Sequence, residues 1–485
     1  MQIEDFSSHA RKSVRARLCF LLPLSIALCA GALAQTAGSA ALSVQELGAE
    51  QNPVLGSVPQ GTVSAEPVKL TILDALDRGL KYNLGIIFSQ QFTNSAAAER
   101  LRSLSNLLPH LNGHFADSSQ QINLESYGFP VAPGQQYIYG PFNVTDIRAT
   151  VASNVIDINS LQKYRASQAD FRASQFSYRN ARDLVVLSVG YQYLTALADA
   201  ARVEAAQAQF NTAETLYRQA VDLHKTGIVP NIDVLRAQVE MQSQQQHLLV
   251  VQNDLAKQLL AITRVVGLPP GQAIILTDKI PAPKPVPTPL DVAIKDSLAN
   301  RSDYKQALAN LDAAERRLKA AQAERLPSLN FQGDFGTIGS SPTRNHETYT
   351  AAAVVEVPIF EGRKIEGDIK AAEATLARAR ASVDDLRARI EYEVRAAYFD
   401  VDAATKQLNV AVSNLELARQ TVTQSRDRFT AGVTNNVEVV QAQEAQATAE
   451  ENYISSLFSH NFSKLSLARA IGITEDATRR FLGGK

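Results

Sequence analysis

Polar and apolar positions follow two different periods along this chain, and the succession occurs twice. Between Leu111 and Asp117, Leu111, Gly113 and Phe115 alternate with Asn112, His114 and Ala116, the two-residue period of a strand with one wet face. A loop rich in Gly, Pro and Tyr follows, and a second strand is expected over Asn143–Ile158, with Val144, Ile147, Ala149, Val151 and Val155 among its apolar positions. The period then lengthens. Val203, Ala206, Phe210, Ala213, Tyr217, Ala220 and His224 recur at 4-3 spacing, the seam of a coiled coil. The second succession predicts strands over Leu329–Thr337 and Thr348–Phe360. A longer seam follows them: Ile390, Val394, Ala397, Val401, Ala404, Leu408, Ala411, Leu415, Ala418, Val422, Ser425 and Phe429. From Arg363 to Phe429 there is no Pro and, after Gly367, no Gly. A helix of that span is roughly 100 Å long at about 1.5 Å per residue.

The two successions are a duplication. LLPHLN (Leu107–Asn112) and RLPSLN (Arg325–Asn330) open the strands, and Pro109 and Pro327 are 218 residues apart. HKTGIVPNIDVL and RFTAGVTNNVEVV close the long helices. Gly227–Gly432, Asp233–Glu438, Ala237–Ala442 and Tyr193–Tyr398 all share an offset of 205, so a longer loop in the first copy separates the two registers. A first helix is expected over Leu70–Ser105, with Thr71 and Asp74 placed for a capping box and Pro109 ending the run. Return helices are expected over Ile232–Val266 and Val437–Ile471. Shorter helices, at Leu70–Ser105 and Leu290–Glu324, would stack end to end with them. The expected organisation is a leader at 1–34, an extension at 35–68, a first repeat at 69–270 and a Pro-rich joint at 271–289. A second repeat at 290–472 and a tail at 473–485 complete it.

Arg11, Lys12, Arg15 and Arg17 precede an apolar run from Leu18 to Leu33 that ends in Ala32-Leu33-Ala34, the pattern of a secretory signal peptide. The run is shorter than the ~20 residues of a spanning helix and contains Pro23. Both cysteines, Cys19 and Cys29, lie inside it, so cleavage would remove thiol and disulfide chemistry. Beyond Gln35 no run reaches 18 consecutive apolar residues. An exported chain of this kind is either soluble outside the inner membrane or inserted as a β-barrel. Four strands are too few to close a lipid-facing barrel, so several chains would have to pool them. The net charge of -1 gives no field for nucleic acid. No phosphate loop, nucleophile elbow or cleft-forming carboxylate pair is found, and neither catalysis nor a cofactor is expected. His110 and His114 could share a strand face, but two histidines without nearby acids or cysteines fit a polar pore lining better than a metal site.

LTILDALDRGLKYN, LLPHLN, RLPSLN, VEVPIFEGRK (Val355–Lys364) and the two tip sequences together resemble the TolC-like outer-membrane efflux protein family over roughly 68–472. NVIDINSLQK (Asn154–Lys163), at the first strand-to-helix junction, departs from the Pro-hydrophobic-Phe pattern of the second. The resemblance implies an α+β membrane protein: a homotrimer whose duplicated strand hairpins form a 12-stranded outer-membrane β-barrel and whose long coiled-coil helices form a 12-helix periplasmic tunnel. It implies a passive exit duct, opened by a periplasmic adaptor protein and energised by an inner-membrane pump. Cargo stays open between small toxic molecules and secreted polypeptides. A soluble periplasmic coiled-coil scaffold would explain the leader and helices but not the strand hairpins.

The tips carry the candidate functional residues. Gly227 and Gly432 sit where a helix must reverse, a position glycine occupies cheaply. By the resemblance these tips, including Lys225 and Arg428, meet the adaptor. It also makes Glu438 a gate residue, three carboxylates constricting a closed trimer, with Asp233 its first-copy counterpart. The plain alternative for Glu438 is an acid favoured at a helix N-terminus. The family's second acid one turn on is here Gln441, and the tyrosine that locks its closed state is here Phe429. Arg426 or Arg428 could pair with Asp233 instead.

Overall fold

The computed structural model describes residues 56–128, 130, 134–278, 289–431, 433, 434 and 436–482, so the leader, both cysteines and Gly432 lie outside the described residues. Strand β1 (Val68–Leu70) leads into α1 (Ile72–Tyr82), whose capping box is formed as expected. The Thr71 hydroxyl accepts the Asp74 N–H at 3.1 Å, and the Asp74 carboxylate accepts the Thr71 N–H at 3.3 Å.

The single helix expected over Leu70–Ser105 is instead two. Asn83 adopts an extended backbone (φ -65°, ψ 131°), ends α1 and caps α2 (Leu84–Ser105) by accepting the Gly85 N–H at 2.8 Å. The break opens backbone groups to the segment before β1: Val58 N–H donates to Tyr82 O and Leu84 N–H to Gly56 O. The expected helix at Leu290–Glu324 breaks in the same way at Arg301, giving α5 (Leu290–Asn300) and α6 (Ser302–Ala323). Asn83 and Arg301 are 218 residues apart, the Pro109–Pro327 offset. The residue facing each break is a glycine just past a return helix. Gly472 has φ +83°, and a Cβ there would lie 2.8 Å from Arg301 N; Gly267 has φ +68° and lies beside Tyr82.

The sheet is built from β2 (His110–Asn123), β3 (Ile138–Ile156), β5 (Ser328–Ser341) and β6 (Arg344–Glu356), antiparallel in the order β2-β3-β5-β6. These strands are longer than their periodicity suggested, except that β6 stops at Glu356, before Pro358, which cannot donate to a ladder. A short parallel pair joins β1 to β4 (Ile274–Leu276), where an unstructured extension and joint had been expected.

Helix α3 (Ile158–Lys225) descends from β3 and returns as α4 (Asn231–Val265); α7 (Lys364–Thr430) descends from β6 and returns as α8 (Asn436–Ile471). On α7, nine of the twelve predicted seam positions are buried and Val401, Ala418 and Val422 are half-buried. Residues 473–485, read as a tail, contain a further helix, α9 (Thr474–Leu482). Helix α3 holds a stretch apolar and long enough to cross a membrane by length and composition. Val185, Val186, Val189, Tyr193, Leu194 and Leu197 in this part of α3 pack instead against Leu70, Ile72, Leu76 and Ile262. The buried Tyr193 hydroxyl is 2.9 Å from Leu70 O and 2.8 Å from the Asp278 carboxylate.

A second core, around Ile390, Val394, Ala293 and Leu467, is joined to the first by a hub of buried charge. Arg301, its side chain 4% exposed, bridges Asp303 at 2.6 Å and Glu393 of α7 at 2.5 Å. Arg469 of α8 reaches Asn180 of α3 at 2.6 Å, and Arg182 pairs with Glu475 of α9 at 2.9 Å. Burial lifts the Asp183 carboxyl to about 6 despite the nearby Arg469 guanidinium, while Asp303 is held below the usual range because its arginine partners outweigh its burial.

Candidate gate and docking tips

The first tip closes as a Schellman turn. Gly227, at φ +79°, donates its N–H to His224 O, and Ile228 donates to Leu223 O, both at 2.9 Å. A Cβ on Gly227 would meet nothing, so its backbone angle and not crowding selects glycine. The second tip repeats the outer bond, Val433 N–H to Arg428 O at 3.0 Å. Ile228 and Val433, one repeat offset apart, are 67% and 70% exposed, leaving each tip with an uncovered aliphatic side chain. Lys225 is also exposed and pairs with Asp222 of its own helix at 3.0 Å.

The Glu438 carboxylate is held within its own hairpin. Arg428 donates to it at 2.8 Å, the Thr434 hydroxyl donates to it, and Ser425 lies 3.5 Å away. Arg428 therefore does not reach Asp233, which is buried and pairs with Arg236 at 3.3 Å. Gln441 is exposed on the following turn. The structure thus joins Glu438 to Arg428 and keeps Asp233 separate, with each acid matched to one arginine.

Phe429 is 6% exposed and packs with Leu216 and the fully buried Val439, Leu223 lying against the same group. This cluster joins α3 of the first hairpin to α7 and α8 of the second. Higher up, Arg202 grips Glu451 through contacts of 2.9–3.1 Å and Gln209 donates to Glu450 at 2.9 Å. The hairpin-to-hairpin seam is therefore polar at mid-coil and apolar at the tip. In the sequence Phe429 stands out for the hydroxyl it lacks. Its place at the end of the 4-3 seam was the signal that it would be buried.

On the sheet, His110 bonds Ser105 O at 2.9 Å, and His114 lies opposite Arg148. Among the described residues, no three His, Cys, Asp or Glu side chains gather as a metal-binding group. Leu111, Phe115, Ile147, Phe335, Tyr349 and Val355 occupy one face by register and are all exposed.

The profile of the outer membrane efflux protein family matches residues 105–268 and 293–472. Outer membrane protein TolC of Escherichia coli is 18% identical over 348 residues, covering 68% of this chain and 70% of that one. The pyoverdine export outer membrane protein OpmQ of Pseudomonas aeruginosa is 21% identical over 387 residues, covering 78% and 80%. The crystal structure of the Campylobacter jejuni CmeC outer membrane channel superposes with a TM-score of 0.72 at 17% identity, over 88% of this chain and 92% of that one. With both repeats matched by the family profile and the same fold found in an outer-membrane channel, the chain belongs to the outer membrane efflux protein family.

Proposed function

We propose that the chain forms, as a homotrimer, the outer-membrane exit duct of a tripartite export system. The observation that carries this is a four-stranded sheet with both edges, β2 and β6, unpaired among the described residues and an exposed apolar face. Lipid does not tolerate an open edge. An even number of antiparallel strands lets β6 of one chain meet β2 of the next without breaking the alternation. Three chains then close twelve strands. The helices carry matching uncovered stripes: Ile232, Leu235, Val239, Leu249 and Leu260 on α4, and Tyr392, Phe399, Val410 and Leu417 on α7. Both fit heptad spacing, as needed to seal neighbouring chains into a tunnel.

The duct is a passive conduit. An inner-membrane pump supplies the energy and a periplasmic adaptor meets the tips at Lys225, Gly227, Ile228, Arg428 and Val433, together with Gly432 of the second tip sequence. Glu438, with Gln441 one turn on, lines the constriction, which opens by realignment of the hairpins. Asp233, its first-copy counterpart, is buried against Arg236 and does not line it. The exposed aliphatic side chain at each tip suits an apolar contact ringed by charge. A photo-reactive amino acid placed at Ile228 or Val433 in living cells is expected to link to a periplasmic adaptor, while one at Leu249 links to a second copy of the chain. Adducts to the adaptor from Leu249 and none from either tip would contradict the docking assignment.

A further inference from the structure

The sheet's second face carries a charge group that the tip-based account does not use. Register places Asp146, Arg148, Thr150, Gln332, Asp334 and Thr350 on that face, opposite to the one bearing Leu111, Phe115 and Phe335. Arg148 donates to Asp146 at 2.6 Å and to Asp334, across the joint between the two repeats, at 3.1 Å. All three side chains are only 21–25% exposed. Gly336 is the residue directly opposite Arg148, and a Cβ there would overlap Ile147 O and Arg148 Cα, so the close strand approach that brings Asp334 to Arg148 requires glycine. Between the Asn154–Asn330 row and the Ile338–His346 row, these three are the only Asp, Glu, Lys or Arg on this face among the described residues.

We infer that Asp146, Arg148 and Asp334 form a charge ring inside the barrel that sets the ionic preference of the duct. The inference rests on the shared-barrel reading, in which this polar face lines the lumen. One guanidinium set against two carboxylates leaves each chain with one surplus negative charge, so three chains present three around the lumen. The tip acids offer no such surplus, because Glu438 is matched by Arg428 and Asp233 by Arg236. A ring of like charge in a low-dielectric wall concentrates its counter-ion. Three charges about 10 Å from the axis, screened by about 0.1 M salt, favour cations over anions by roughly fourfold.

The test is the reversal potential of the purified full-length protein in a planar lipid bilayer under a potassium chloride gradient. The unaltered channel is expected to prefer potassium. Asp146→Asn with Asp334→Asn leaves Arg148 alone, so the preference should invert towards chloride by a similar factor. Arg148→Gln frees both carboxylates and should widen the preference for potassium. Shifts of opposite sign from two substitutions at one cluster are not what a general packing defect produces. A conducting channel whose permeability ratio is unmoved by both changes would overturn the ring alone. A protein that forms no conducting pore would overturn the duct reading and the ring with it.

Discussion

Arg301→Ala is expected to lower the thermal unfolding midpoint of the purified protein by roughly three to five degrees, the largest loss from any single side chain outside the membrane. Arg301 ends α5, begins α6 and holds two carboxylates, Asp303 and Glu393, while itself 4% exposed. Removing the guanidinium leaves Glu393, 30% exposed, without its partner and Asp303, 19% exposed, with Arg469 at 3.9 Å, and breaking a buried pair in this way costs at most about 3–5 kcal/mol. Glu393→Gln should cost distinctly less, since Asp303 still neutralises the arginine. Loss of helical circular dichroism with temperature measures both. An Arg301→Ala protein that melts with the wild type would show that the hub carries no stability.

The second large effect concerns the gate. Phe429→Ala removes a buried ring from the only apolar contact described between the two hairpins near the tip, where Leu216, Leu223 and Val439 close around it. Truncations of this kind cost about 3–5 kcal/mol in a packed core. Here the loss is confined to the last turns, because Arg202–Glu451 and Gln209–Glu450 still tie the hairpins higher up. The expected result is a tip that separates without an adaptor, seen as higher single-channel conductance and greater sensitivity of cells to large antibiotics. Phe429→Leu should retain most of the closure. Unchanged conductance in the alanine variant would show that closure does not depend on this cluster.

Much of this architecture was legible because it rests on local periodicity. The 4-3 seam of α7 survives into the buried positions Ile390, Val394, Leu408 and Phe429, and the two-residue alternation at Leu111–Asp117 marks a real strand. What escaped depends on contacts between distant residues. Asn83 looks like an ordinary helical position until Gly56 and Val58 arrive to use the backbone groups its break exposes. Arg301 carries no breaking signal of its own, although it shares the Pro109–Pro327 offset with Asn83, and Asn is a favoured N-cap. The β1–β4 pair joins residues more than two hundred positions apart. At the site, the sequence placed Glu438 one turn into α8 but could not choose between Arg426 and Arg428 as a basic partner for Asp233. Arg428 and Glu438 are close because the turn at Val433 folds α8 back along α7.

The central claim is that three chains pool their open-edged sheets into one barrel. The most direct test is to extract the protein from outer-membrane fractions and compare unheated and boiled samples on a gel, with chemical crosslinking to count chains. The account predicts a membrane-embedded, heat-sensitive species that crosslinks as a trimer and collapses to a single chain on boiling. A species recovered in the soluble fraction, with the same mobility before and after heating and no crosslinked trimer, would contradict it.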